Sequence, residues 1–146
     1  MDTNTATQIA MARDGVLSPA MQTVADKEGL APAAILGQVA AGRTVIPANV
    51  RHANLSPIGI GSALHTKINA NIGNSALASD VHCELAKLTA AIRFGADTVM
   101  DLSTGPDATA IRQAIIAASR VPIGTVPIYE ATGQVERPQD LEPGLL

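Results

Sequence analysis

Three asparagines occur within residues 67–75, and their amide side chains are the first feature of the sequence that suggests a binding function. Asn69, Asn71 and Asn74 offer hydrogen-bond donors and acceptors without a charge. The apolar residues around them alternate with the period of a strand, where Asn is disfavoured. Such amides would bind a polar ligand at the end of the strand, or they would cap the next helix and satisfy the backbone of the loop. Composition alone leaves both interpretations open.

The elements that would position these amides alternate in type along the rest of the chain. Strand patterns begin at Lys67, Asp97 and Pro122, although two prolines and a glycine weaken the third. A helical pattern follows each of the first two strands; Gly95 ends the first, and the second continues to about Ser119. This order predicts an α/β fold with a parallel sheet and right-handed crossovers.

Spacing assigns the side chains of these helices to two faces. The residues predicted to face the core are Val81, Leu85, Leu88 and Ile92 in the first helix and Ile111, Ile115 and Ala118 in the second. The residues predicted to point outward are Glu84, Lys87 and Arg93. Cys83 lies in the first helix and is interpreted as a small core residue. As the only cysteine, it cannot form an internal disulfide or hold a metal cluster by itself.

Three residues stand where the predicted strands end. Asn71, Met100 and Tyr129 are separated by two equal intervals of 29 residues. A barrel of eight strand-helix units in ~250 residues averages ~31 residues per unit, so the repeat suits a barrel. An open doubly wound sheet has a similar period and is the alternative. In both folds ligands bind at the carboxyl ends of the strands, which makes these three residues the candidate binding residues.

The sequence contains only three such strand-helix units. Three strands cannot close an eight-stranded barrel, and the outer strands would expose unpaired backbone groups. After Tyr129 the sequence is rich in turn residues and weakly periodic. We therefore expect a partial (β/α)8 barrel, the first part of a larger protein that stops early.

The first 43 residues predict a short helical region. They carry three helical patterns, each ended by a glycine at the position of a left-handed cap; these glycines are Gly15, Gly29 and Gly42. Ser18 and Pro32 supply helix starts, Ser18 as a hydroxyl cap before a proline. The apolar residues predicted to pack are Met21, Val24, Ile35, Leu36 and Val39.

The remaining boundaries follow changes in periodicity. Residues 44–66 lose the helical pattern, and their prolines and glycines predict a connector with short extended pieces. Arg51 and His52 lie in it and are interpreted as solvated or structural residues. The strand-helix units then occupy 67–131, and 132–146 form an irregular tail.

Composition excludes some classes of function. Apolar residues make up 47% of the chain, but it has one Phe, one Tyr and no Trp. Small aliphatic side chains suit a layer of helices on a parallel sheet, whereas proteins that bind single-stranded nucleic acid use aromatic side chains for stacking. The formal net charge of −3 also lacks the basic excess that phosphate backbones require. We therefore expect no nucleic-acid partner.

The N-terminus and the cysteine content suggest a cellular location. The first residues are polar and acidic, and no basic region is followed by an apolar run as in a signal peptide. No window reaches the ~18 apolar residues of a membrane span. With a single cysteine, these features predict a cytoplasmic protein with no membrane association.

Several ordered blocks of the sequence carry a resemblance to a known family. The blocks are Ala12–Gly15 with Ser18–Met21, Ala41–Asn49, Lys67–Ser75, Gly95–Gly105 and Pro122–Tyr129. Together they resemble the N-terminal part of the phosphomethylpyrimidine synthase family, which makes the pyrimidine of thiamine. The resemblance covers roughly residues 8–131, and five blocks in this order make it specific at the level of the family.

The resemblance implies a fold, a reaction and a binding site. It implies a radical S-adenosylmethionine enzyme on an eight-stranded barrel, a homodimer, that converts aminoimidazole ribotide to hydroxymethylpyrimidine phosphate. The implied cofactors are S-adenosylmethionine, a [4Fe-4S] cluster and a divalent metal such as zinc. Asn71, Met100 and Tyr129 match the family's substrate-contacting amide, methionine and tyrosine. Their implied roles are hydrogen bonding, apolar packing and a polar hydroxyl contact with the ribotide.

The sequence also departs from the family. The later substrate loops, the two metal-binding histidines and the cluster cysteines have no counterpart in it, so we expect this chain to ligate no cofactor and to be inactive alone. Glu130 stands where the family usually has glutamine. Two alternatives remain: part of the sister enzyme that makes hydroxybenzimidazole for cobamides, or a non-catalytic remnant that binds a ribotide or oligomerises through its open strand edges.

Overall fold

The computed structural model describes residues 7–75, 80–105, 107–133, 135, 137–142 and 144. The helices are α1 Gln8–Arg13, α2 Pro19–Glu28, α3 Pro32–Ala40, α4 Val81–Arg93, α5 Ala108–Ala118 and α6 Pro127–Thr132, and a 3-10 helix spans Pro138–Asp140. The strands are β1 Thr44–Val45, β2 Ile60–Gly61, β3 Asn69–Ile72, β4 Thr98–Asp101 and β5 Ile123–Thr125. The chain divides into two compact units, Met1–Lys67 and Ile68–Leu146.

The unit Met1–Lys67 contains the three predicted N-terminal helices. Ser18 caps α2 by accepting a hydrogen bond from the backbone N–H of Met21 at 3.1 Å, and Pro32 opens α3. The three glycines predicted after these helices all have positive φ, which confirms that prediction. The five predicted apolar residues lie in or against one buried core.

The segment predicted as a connector contributes short strands and buried polar contacts to this unit. β1 and β2 pair in antiparallel fashion. His52 is buried and Arg51 is exposed. The carboxylate of Glu28 accepts hydrogen bonds from Lys67 Nζ at 2.7 Å and from the backbone N–H of His65 at 2.9 Å. These bonds join the end of α2 to the end of the unit.

The unit Ile68–Leu146 is built on three parallel strands in the order β3, β4, β5. The predicted alternation of strands and helices is confirmed, with α4 and α5 as the crossovers. The third strand is shorter than predicted, because β5 ends at Thr125 and the chain turns into α6 at Pro127. Proline at the first helical position favours this start, since its fixed φ matches the helix. The prediction that Tyr129 closes a strand is therefore wrong.

The core of this unit lies on one face of the sheet. Side chains of a strand alternate between the two faces, and the core residues of the strands and of both helices form one cluster: Ile72, Leu88, Ala96, Val99, Ile111 and Ile115. The four residues that predict a buried face of α4 are buried or pack against this cluster, as expected. The opposite face presents Asn69, Asn71, Thr98 and Met100.

Three predicted side-chain positions are wrong. Glu84 is fully buried, because its carboxylate is bonded to the backbone at the end of β3 instead of to water. Cys83 is exposed in the first turn of α4, and Ala118 is exposed in the last turn of α5. Lys87 and Arg93 are exposed as predicted.

Three further observations concern the described chain. No helix in the described ranges has the length and apolar character needed to cross a membrane. The predicted irregular tail at 132–146 lies partly outside the described residues, and within them it contains the 3-10 helix. The described strands form no closed barrel.

Candidate functional site

Two of the three predicted binding residues are neighbours across the sheet. Asn71 in β3 and Met100 in β4 are register partners, and Met100 pairs in turn with Gly124 in β5. Because residues in register point to the same face of a parallel sheet, Asn71 and Met100 lie side by side on the face opposite the helices. Asn71 is exposed and Met100 is half-buried. This row near the carboxyl ends of the strands is the first half of the candidate site.

The amide of Asn71 is oriented by its neighbours. The hydroxyl of Thr98 donates to Oδ1 of Asn69 at 2.8 Å, and Nδ2 of Asn69 donates to Oδ1 of Asn71 at 2.8 Å. No described residue accepts a hydrogen bond from Nδ2 of Asn71. This relay therefore leaves the amide nitrogen of Asn71 to donate to a carbonyl, a ring nitrogen or a phosphate oxygen of a ligand.

Tyr129 lies at the same edge of the sheet but in a different setting. It belongs to α6, is 43% exposed and lines an open cleft of about 550 Å³ with Ser103, Thr104 and Thr109. The residues that line this cleft include neither Asn71 nor Met100. The structure thus brings Asn71 and Met100 together and places Tyr129 in an adjoining cleft.

The loop after β4 connects the two parts of the site. The hydroxyl of Ser103 accepts a hydrogen bond from the backbone N–H of Asn74 at 3.1 Å and donates to Asp101 at 2.5 Å. The backbone N–H of Thr104 donates to the carbonyl of Asn74 at 3.0 Å. The wall of the Tyr129 cleft is therefore bonded to the loop that follows Asn71.

Sequence reasoning missed an ion-pair network beside the cleft. Arg112 of α5 donates through Nε to Asp101 at 3.1 Å and through Nη1 to Glu130 at 2.6 Å. The hydroxyl of Thr109 donates to the second oxygen of Glu130 at 2.5 Å. Asp101 is fully buried, whereas the side chain of Glu130 is 33% exposed. The signal was an acidic residue at a strand end followed by a basic residue within an apolar helix.

Hydrogen bonds within this network favour the charged forms of Arg112 and Glu130. Burial would by itself lower the pKa of Arg112, but hydrogen bonds to Glu130 and Asp101 outweigh it and raise that pKa. The hydrogen bond from Thr109, followed by those from Arg112, lowers the pKa of Glu130 below its ordinary value of 4.5. Arg112 and Glu130 are therefore both charged at neutral pH.

A second missed residue supports the end of β3. Glu84 accepts a hydrogen bond from the backbone N–H of Gly73 at 2.9 Å and one from Lys87 Nζ at 2.7 Å. Gly73 has φ +147°, and a β carbon there would overlap the backbone of Leu102 and Ser103. Glu84 precedes Leu88 by four residues, so its position on the apolar stripe of α4 was the available signal.

The described residues present no ligand set for a metal ion, and the sequence offers one cysteine to an iron–sulfur cluster. A [4Fe-4S] cluster is held by several cysteine thiolates, whereas the sequence contains only Cys83. Within the described residues, no three His, Cys, Asp or Glu side chains are grouped so that they could hold a metal ion. What the site offers is hydrogen bonding through an amide and a phenol and apolar contact through a thioether.

Comparison with known proteins gives close relatives. The chain is 51% identical over 140 residues to the phosphomethylpyrimidine synthase of Haloarcula marismortui. It is 53% identical over 140 residues to the phosphomethylpyrimidine synthase of two strains of Halobacterium salinarum. These alignments cover 96% of this chain and 29% of each relative. The chain thus spans less than a third of the length of the curated relatives it matches.

A family model agrees with these relatives. The model described as the radical SAM ThiC family matches residues 7–143. The match runs through both compact units and includes every residue of the candidate site. The protein therefore belongs to the radical SAM ThiC family.

Proposed function

We propose that this chain is the part of a phosphomethylpyrimidine synthase that supplies the first strand-helix units of a (β/α)8 barrel and binds aminoimidazole ribotide. Three observations support the barrel. The parallel strands are adjacent in chain order, and both crossover helices pack on one face. The opposite face carries Asn71 next to the carboxyl end of β3, and ligands of such barrels bind at the carboxyl ends of the strands.

The observation that carries the binding proposal is the pairing of Asn71 with Met100. An oriented amide donor beside a half-buried thioether matches a ligand that has both acceptor atoms and an apolar ring face. We assign Asn71 to a hydrogen bond with the ribotide and Met100 to packing against it. The Tyr129 hydroxyl would make a polar contact from the adjoining cleft.

Within this proposal the chain binds and orients but does not generate a radical. The longer relatives would carry S-adenosylmethionine, the [4Fe-4S] cluster and a divalent metal such as zinc, and would convert the ribotide to hydroxymethylpyrimidine phosphate for thiamine. The single cysteine of this chain supports that division of roles. The three relatives described above are named phosphomethylpyrimidine synthase, which favours this product over hydroxybenzimidazole.

Isothermal titration of the 146-residue chain with aminoimidazole ribotide tests the proposal. We expect saturable binding that Asn71→Ala weakens by ~1–3 kcal/mol, because the ligand loses a hydrogen bond in a partly desolvated site. Asn54→Ala, an exposed amide in the other unit, is the matched control and should bind like the unchanged chain. No binding by the unchanged chain, or equal binding by Asn71→Ala, would contradict the proposal.

A further inference from the structure

Arg112 ties three elements together beside the candidate site. It lies in α5, and its side chain is only 17% exposed. Its Nε donates to the carboxylate at the end of β4, and its Nη1 donates to the carboxylate on α6. The two carboxylates are those of Asp101 in β4 and Glu130 in α6. Within the described residues, no side chain of β4 is hydrogen-bonded directly to a side chain of α6. The guanidinium is therefore the polar link between the strand end and the last α-helix.

The geometry requires an arginine. A guanidinium presents its N–H groups in a rigid planar fork, so Nε and Nη1 can each bind a different carboxylate at once. A lysine has one compact ammonium on a flexible stem and cannot reproduce this spacing. Asp101 and Glu130 lie 29 residues apart in the chain, so local structure alone does not bring them together.

The position of α6 depends on this link. The helix has only six residues, and its first residue follows Val126, which provides no side-chain cap. A helix of this length is not stable by itself, so tertiary contacts must hold it. Those contacts are the buried side chain of Ala131 and the two oxygens of Glu130, bonded to Arg112 and Thr109. Tyr129 immediately precedes Glu130 in the helix.

We propose that Arg112 is a positioning residue: by holding Glu130 of α6 to the end of β4, its guanidinium determines where Tyr129 lies. Arg112 acts on the ligand only through the tyrosine. This role rests on the proposed function, in which Tyr129 contacts the ribotide. The tie between Arg112 and α6 is a property of the fold and can be measured without a ligand.

Tyr129 provides that readout, because the chain has one tyrosine and no tryptophan. Tyrosine fluorescence and the near-ultraviolet circular dichroism near 280 nm therefore report on α6 alone. We expect Arg112→Gln to increase the quenching of this fluorescence by acrylamide and to reduce the near-ultraviolet signal, because α6 is released. Far-ultraviolet circular dichroism shows whether the rest of the chain keeps its secondary structure.

Two variants keep the test decisive. Arg112→Gln leaves Asp101 buried without its cation, which can unfold the unit. Glu130→Ala removes the same tie from the helix side, together with the bond from Thr109, and leaves the bond between Arg112 and Asp101 intact. An unchanged tyrosine signal in this variant therefore decides against the tie even if the first variant is unfolded. Arg93→Gln and Glu142→Ala change exposed charges elsewhere in this unit and should leave the tyrosine signal unchanged.

Ribotide titration of the same variants separates this proposal from the proposed function. If both hold, Arg112→Gln and Glu130→Ala bind the ribotide about fivefold to tenfold more weakly, the loss of one hydrogen bond. If the unchanged chain binds no ribotide, the proposed function fails, and the tyrosine signal still decides the positioning role. An unchanged tyrosine signal in a folded Glu130→Ala chain would overturn that role, whatever the titration shows.

Discussion

The thioether of Met100 lies directly over the backbone of Gly124. A β carbon at Gly124 would overlap the sulfur of Met100, and the two residues are register partners in adjacent strands. The glycine therefore leaves the space into which the methionine side chain extends across the sheet. Met100 lies beside Asn71 in the candidate site and forms its apolar part. The lack of a side chain at Gly124 therefore determines where this apolar part lies.

Gly124→Ala should displace Met100 and disturb the row. Overpacking a well-packed position costs ~1–3 kcal/mol, and we expect this loss in the free energy of unfolding of the unit Ile68–Leu146. Urea unfolding followed by the fluorescence of Tyr129 measures it, since this tyrosine lies in that unit. The same substitution at Gly37, in the middle of α3, meets no atom within 4 Å and should not destabilise its helix. If Gly124→Ala has the same free energy of unfolding as the unchanged chain, Met100 moves aside without cost.

Asn69→Ala should weaken ligand binding, although the proposed site assigns Asn69 no contact with the ligand. The variant removes the donor that orients the amide of Asn71, so that amide can rotate and loses part of its preorganisation. We expect a two- to tenfold weaker affinity for aminoimidazole ribotide, about 0.4–1.4 kcal/mol, by titration calorimetry. Thr98→Val removes the preceding link of the relay and should have a smaller effect in the same direction. An effect of Thr98→Val larger than that of Asn69→Ala would contradict the relay.

Glu84 should contribute stability through its bond to the end of β3. Glu84→Ala leaves the backbone N–H of Gly73 without this acceptor, which costs ~1–3 kcal/mol in the free energy of unfolding. Glu84→Gln keeps a carbonyl oxygen for that N–H but loses the ion pair with Lys87. We therefore expect the glutamine variant to lie between the alanine variant and the unchanged chain in urea unfolding. If the two variants lose equal stability, the bond to Gly73 contributes nothing.

Glu28 should make the unit Met1–Lys67 less stable in acid. Burial by itself would raise the pKa of Glu28, but hydrogen bonds from Lys67 and His65 outweigh it and hold the pKa below 4.5. A group whose pKa is lowered by folding adds stability above the unfolded value, and this stability is lost as the pH falls through the folded value. Hydrogen exchange of the α2 amides should therefore show weaker protection below pH 4.5 than above it.

A neutral substitution separates this effect from general acid unfolding. Glu28→Gln should lower the protection of α2 at neutral pH by ~1–3 kcal/mol and flatten its dependence on pH between neutral and acid conditions. Asp14→Asn, an exposed carboxylate in the same unit, should leave both the protection and the pH profile as they are. A pH profile that is the same with glutamine at position 28 would exclude Glu28 as the responsible group.

Local patterns in the sequence were sufficient for the helix ends and for the order of the elements. The cap at Ser18 and the positive φ at Gly29 follow from short-range chemistry, so they were predictable. The side-chain positions that failed depend on partners distant in sequence. Glu84 is buried because of the strand end eleven residues earlier, and Cys83 is exposed because the core lies on the other side of α4.

The predicted binding residues show the same division. The interval of 29 residues between Asn71 and Met100 is a true register, because both strands continue in extended form and pair. The equal interval to Tyr129 is not a register, since β5 stops at Thr125 and the partner of Met100 is Gly124. An equal spacing in the sequence does not show where a strand ends and a helix begins.

The sequence by itself determined the family resemblance, the helices with their caps and the alternation of strands and helices, because these depend on residues near one another in the chain. Only the tertiary structure decided which charges meet. The bonds of Arg112 to Asp101 and Glu130 join residues 11 and 18 positions away, and they exist because packing of α5 on the sheet brings a strand end and a later helix to one guanidinium. Packing over such separations is set by the whole fold, and no short pattern encodes it.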